Sequence, residues 1–143
     1  MRPFELSDPD KGSARVCARL LGLADPLIRV ARASAMVVLA ALALGRPFSG
    51  HELLYGVGVA QYIAWAAAEW SAGRIRLDRA LFEDFAQGML VPAQLDAVLG
   101  KPARDMSSRV TGALALLRRL AVCSGAAFFM ALGAAGLLLV RGG

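Results

Sequence analysis

The chain has 143 residues; 57% are apolar (Ala, Val, Ile, Leu, Met, Phe, Trp, Tyr or Cys) and only 19% are charged. Soluble domains carry about 45–50% apolar residues even with Gly counted, and about 25% charge. A mean hydropathy of +0.55 therefore excludes general disorder and argues against a water-soluble enzyme domain. Only two Cys and no Gly triplet repeat exclude disulfide-scaffold and collagen-like classes.

The net charge of +5 would point to nucleic acid in a soluble protein. The positions of the charges, taken with the apolar segments, assign them another role. No cleavable leader is expected, because Glu5, Asp8 and Asp10 interrupt the first residues where a cationic start should meet an apolar run.

Residues 8–24 begin at Asp8-Pro9 and read as a short helix. Val16, Leu20 and Leu23 share a face, with Cys17 and Leu21 beside it and Arg15 and Arg19 apart. This pattern suits a helix in the membrane interface or one packed on a neighbouring soluble segment. The first apolar segment starts with Asp25 as N-cap and Pro26 at the first helical position, and stops at Gly45-Arg46-Pro47. Its uncharged part, Ala33 to Leu44, has 12 residues. At 1.5 Å per residue that is roughly 18 Å, short of a hydrocarbon layer of roughly 30 Å. Arg29 and Arg32 extend the span if they snorkel to headgroups; otherwise the segment is re-entrant.

Ser49 and Glu52 form a capping-box pattern before the second segment, Leu53–Trp70. Gly73 is the expected residue after its end. Residues 74–91 then give an amphipathic helix with Leu77, Leu81, Phe85 and Met89 as a partner-docking face, broken by Pro92. A short helix over 93–99 ends at Gly100-Lys101-Pro102. Asp105, Ser107 or Ser108 caps a last helix whose Leu120–Val140 stretch holds 21 uncharged residues, fenced by Arg118, Arg119 and Arg141. That is the clearest span, because a central Arg costs about 2.5–3.5 kcal/mol to insert.

Counted around these three spans, fourteen Lys and Arg fall on one side and two on the other. Positive residues favour the cytoplasm. The expectation is an all-α, polytopic membrane protein of the bacterial inner membrane: three transmembrane helices, N-in and C-out, plus cytoplasmic amphipathic helices. Its segments are 1–25 (interfacial), 26–73 (transmembrane hairpin), 74–109 (cytoplasmic helices) and 110–143 (last span). With the basic residues explained as topology determinants, no nucleic-acid partner is expected.

Small residues recur every four positions: Gly56, Ala60, Ala64 and Ala68 on the second span, Cys123, Ala127, Ala131 and Ala135 on the third, and less completely Ala33, Ala41 and Gly45 on the first. Such stripes let helices approach closely in lipid, although an Ala-rich chain produces them easily. Gln61 and Glu69 are the polar residues within a span. Gln61 suits an interhelical hydrogen bond, and Glu69 snorkels or pairs near Arg74. His51, the single histidine, reads as a loop residue. No metal, cofactor or catalytic residue is expected, since no phosphate loop, metal motif or nucleophile pattern occurs.

The expected function is a small non-catalytic subunit or assembly factor of a multi-protein membrane complex, with other membrane subunits and the bilayer as partners. In size and features the chain resembles accessory subunits of secretion or conjugation machines and respiratory complexes, which is an analogy and not a motif match. The alternatives are a homo-oligomeric channel or small transporter with Gln61 and Glu69 on its path, and a membrane-anchored regulator that binds a partner through residues 74–99.

Overall fold

The computed structural model describes residues 7–44, 51–100 and 105–142. All regular structure among them is helical: α1 (Asp8–Leu21), α2 (Ala24–Leu44), α3 (His51–Gln87), α4 (Pro92–Val98) and α5 (Met106–Gly142). The expected Gly45-Arg46-Pro47 stop, the Ser49 cap and the Lys101-Pro102 stop lie outside the described residues. Two helical stretches are long and apolar enough to cross a membrane, Asp8–Leu44 and Met106–Val140. Only 28% and 22% of their apolar windows are buried within the protein, so most of these side chains are exposed or half-buried.

The chain divides into two compact units. One comprises Met1–Ala24 and Gly73–Arg118, the other Asp25–Ala72 and Arg119–Gly143. Nineteen charged residues belong to the first and eight to the second. Helices α3 and α5, each of 37 residues, contribute to both.

The charged unit has a small core. Ala14, Cys17, Ala18 and Leu21 of α1 are buried, with Ile75, Phe82 and Phe85 of α3 and Met106 and Ala113 of α5. Phe82 and Phe85 meet edge to face at 6.1 Å. The Arg109 guanidinium lies 5.9 Å from the Phe85 ring centroid and is ion-paired with Asp96 of α4. It also donates to the Pro92 carbonyl at 3.4 Å. One arginine thus ties α4 to α3 and α5. Asp105 stands just before α5 and accepts hydrogen bonds from the side chains of Ser107 and Ser108 and from the Ser108 backbone, which is N-cap geometry.

Two expected helix ends fall elsewhere. Gly73 does not end the second segment; α3 runs through it to Gln87. A glycine inside a helix costs about 1 kcal/mol, but the flanking Ala68, Ser71, Ala72 and Ile75 are all buried, and their packing outweighs that cost. The helix also ends before Pro92. Gly88 adopts φ +73°, with Met89 N–H donating to the Asp84 carbonyl (3.0 Å) and Gly88 N–H to that of Phe85 (3.2 Å). That is a Schellman cap, which needs a left-handed residue.

The apolar unit contains α2, residues 51–72 of α3 and residues 119–142 of α5. Val38 and Ala41 of α2 and Ala131 and Ala134 of α5 form its core cluster, with Leu42, Val57 and Leu138 against it. Where α2 advances from Ala35 to Leu42, α5 advances from Ala127 to Leu138, and α3 retreats from Gln61 to Val57. Within this unit α3 is therefore antiparallel to both α2 and α5. Burial alternates by three and four residues, as at Ile28, Ala31, Ser34, Val38 and Ala41, and at Leu120, Ser124, Ala127, Ala131 and Ala134. That alternation keeps contacts on one face of a 3.6-residue helix.

Candidate functional site: a polar cluster and groove between helices α2 and α3

Gln61 is 2% exposed. Oriented to satisfy both neighbours, its amide nitrogen donates to the Ala127 carbonyl at 3.1 Å and its oxygen accepts from the Ala35 N–H at 3.1 Å. One side chain therefore joins α2, α3 and α5. Two turns further along α3, Glu69 meets Arg32 of α2. Arg32 Nε donates to Oε1 at 2.6 Å and Nη2 donates to Oε2 at 3.0 Å. Trp65 Nε1 donates to the same Oε1 at 3.2 Å. This forked guanidinium–carboxylate geometry is the strongest type of ion pair.

Arg74 is not the residue that forms this pair. Five positions on a helix turn a side chain by about 140°, so Glu69 and Arg74 point apart, whereas an antiparallel neighbour sets Arg32 beside Glu69. Sequence carried a signal for this: the first span has its arginines, and the second its glutamate, at the ends away from the connecting loop.

Beside this cluster, on the outer surface of the unit, lies an apolar groove of about 490 Å³. Met36, Leu39 and Leu42 form one wall, Gly58, Tyr62 and Trp65 the other, with Gln61 also lining it and Arg32 bordering it. The Tyr62 and Trp65 rings are 5.7 Å apart. Gly58 faces Leu42 closely: a Cβ there would stand 2.8 Å from Leu42 Cδ1.

The expected small-residue stripes are placed unevenly. On α3, Gly56 and Ala60 are exposed, Ala64 is half-buried and Ala68 is buried. A strict four-residue step advances about 400° and so drifts about 40° each time; the stripe winds from the outer surface into the core. The face that packs runs instead through Gln61, Ala68, Ala72 and Ile75. On α5, Ala127 and Ala131 are buried, flanked by half-buried Cys123 and Ala135. On α2, Ala41 is buried and Ala33 exposed; Gly45 lies outside the described residues.

The expected docking face is split by the same drift. Leu77 is 63% exposed and Met89 67%, Leu81 is half-buried, and Phe85 belongs to the charged unit's core. Val98 and Leu99 are also exposed. On α1 the Cys17 side packs inward and leaves Val16, Leu20 and Leu23 outside.

Several buried polar groups went unread in the sequence. Ser34 and Ser71 donate to the carbonyls four residues back, Val30 at 2.8 Å and Ala67 at 2.7 Å. The buried Ser124 hydroxyl has no hydrogen-bond partner among the described residues. The Asp96–Arg109 pair also escaped, since neither residue stands in a motif.

In the charged unit, burial pushes the Cys17 thiol up to about 11, and the nearby Asp78 carboxylate adds to the effect. Burial also raises Asp78, partly offset by Arg74. Asp105 is held below the ordinary carboxylate value by the Ser107 hydroxyl first and then by Ser108. Among the described residues, no three His, Cys, Asp or Glu side chains converge as metal ligands. What the site does chemically is hold helices together and offer an apolar recess bordered by the Arg32–Glu69 ion pair. No known family profile, curated protein or solved structure matches the chain.

Proposed function

We propose that the protein is a small non-catalytic subunit or assembly factor of a multi-protein complex in a bacterial inner membrane. In this reading α2, the first part of α3 and the second part of α5 each cross the bilayer, and residues before α2 and between the second and third spans are cytoplasmic. The antiparallel packing of α3 against α2 and α5 supports the third crossing. The residues that depress its hydropathy, Gln61 and Glu69, are hydrogen-bonded within the bundle. The distribution of Lys and Arg supports the orientation.

The observation that carries the subunit reading lies in the charged unit. Leu77, Met89, Val98 and Leu99 are 53–84% exposed there, on the part of the chain assigned to water. Exposed apolar side chains outside the bilayer call for a protein partner. A path through a homo-oligomer has less support, because Gln61 and Glu69 are engaged inside their own chain.

The test is photo-crosslinking from positions 77 and 98 in intact cells, with extraction in mild detergent. Discrete heterologous adducts, lost when Val98 and Leu99 are changed to Ser, support the reading. Adducts of the chain with itself alone overturn it. Reporter fusions at residues 48 and 90 test the layout, with residue 90 expected inside and residue 48 outside.

A further inference from the structure

A recess of about 240 Å³ opens between α1 and α3 in the charged unit, and three arginines line it. Arg15 and Arg19 stand on the α1 side; Arg79, Glu83 and Gln87 stand on the α3 side. Glu83 is already engaged, since its Oε1 accepts from Arg79 Nε at 2.9 Å. Arg15 and Arg19 are exposed and make no ion pair or hydrogen bond among the described residues. The flanking charges do not cancel them. Asp8 is offset by Lys11, one turn before Arg15, and Asp25, which follows α1, is offset by Arg76, one turn before Arg79. Asp10 lies five positions from Arg15, and Asp84 five from Arg79, which is about 140° around each helix. Half-buried Asp78 interacts with Arg74 and Cys17. The recess therefore keeps the positive charges of Arg15 and Arg19.

We propose that this recess binds a phosphate group, held by the guanidiniums of Arg15 and Arg19 with the Gln87 amide as a neutral donor. Like charges one turn apart on a helix destabilise it, and a bound oxyanion relieves that repulsion. The helix dipole accounts for a basic residue in the last turn of α1, which is Arg19. It gives no reason for Arg15 and Arg79 to line the same recess. Guanidinium forks match the paired oxygens of a phosphate, whereas a metal cation is repelled by the excess positive charge. A soluble phosphate and the phosphate of an anionic lipid headgroup offer the same oxygens. The recess lies within one unit, so the assignment does not depend on which helices cross a bilayer.

The full chain, purified in a non-ionic detergent, is titrated calorimetrically with inorganic phosphate and with short-chain phosphatidylglycerol, at constant ionic strength set by chloride. Arg15→Gln and Arg19→Gln should each weaken binding about tenfold, as loss of one hydrogen bond to a charged group does. The pair Arg118→Gln with Arg119→Gln removes as much charge from two exposed positions of α5 and should leave the affinity unchanged. Circular dichroism checks that each variant keeps its helices; should one α1 variant fail to fold, the other decides, since both side chains are exposed. Displacement of phosphate by phosphatidylglycerol upholds the site with a headgroup as its source, and phosphate binding that the lipid does not displace upholds it with a soluble source. Binding of neither ligand above the chloride background, or an equal loss in the Arg118 and Arg119 control, overturns the site.

Discussion

Arg32 and Glu69 are 37 positions apart in sequence, yet their side chains form a two-point ion pair at 2.6 and 3.0 Å. Exposed pairs in water contribute about 0–1 kcal/mol. In the proposed membrane layout the pair stands at a span end, where it matters more for what its loss leaves behind: a charge without a counter-ion near hydrocarbon. Arg32→Gln or Glu69→Gln alone should destabilise the bundle, and the double variant by less than the sum of the two. Unfolding in mixed detergent micelles gives this double-mutant cycle. Additive losses would show that the pair is not coupled.

Gln61 makes two interhelical bonds, but both partners are backbone groups of helices that keep their own ladders. Gln61→Leu should therefore cost only about 0.6 kcal/mol, the average for such bonds in membranes, and at most about 1.7. The same micelle titration reads it. A loss several times larger would mean that Gln61 sets the register of the three helices.

Gly58 and Gly56 stand two residues apart in α3 and should respond oppositely. A Cβ at Gly58 meets Leu42 Cδ1 at 2.8 Å, whereas one at Gly56 meets nothing within 4 Å. Gly56→Ala should raise stability by up to about 1 kcal/mol through helix propensity. Gly58→Ile should lower it by about 1–3 kcal/mol through overpacking, and Leu42→Ala should recover part of that. Equal effects at the two positions would deny the close approach.

Cys17 is 1% exposed, and its thiol is pushed up to about 11. The thiolate is the reactive form, so a maleimide at pH 8 should label Cys17 slowly in the folded protein and rapidly once α1 is unfolded. Carrying the Cys123→Ser change isolates the signal in mass spectrometry. Fast labelling of the native chain would show that α1 does not stay packed through its Cys17 face.

Asp105 is lowered from the ordinary carboxylate value, so its capping of α5 stabilises the fold above the unfolded-state value and is lost as pH falls through the folded one. Asp105→Asn should flatten the acid limb of stability against pH, with little change at neutral pH because Asn also caps. Asp78 acts in the opposite sense: its raised value means that the folded state favours the protonated acid, and that contribution fades as pH rises through the folded value. An unchanged acid limb in Asp105→Asn would remove the cap from this account.

Composition and helical pattern alone determined that the chain is helical and that Ala33–Leu44 and Leu120–Val140 are uncharged apolar runs, because run length and charge exclusion are one-dimensional properties. They also marked Gln61 and Glu69, since a polar residue stands out in an apolar run. Which face of each helix packs was decided only by the tertiary structure. A stripe written at four-residue spacing, such as Gly56, Ala60, Ala64 and Ala68, drifts around a 3.6-residue helix, and only a second helix fixes where the contact line crosses it. The helix end at Gly88 rather than Gly73 was settled the same way, because burial of Ala72 and Ile75 outweighs a local glycine cost. So was the choice of Arg32 over Arg74: helix direction puts a distant residue within reach and turns a near one away.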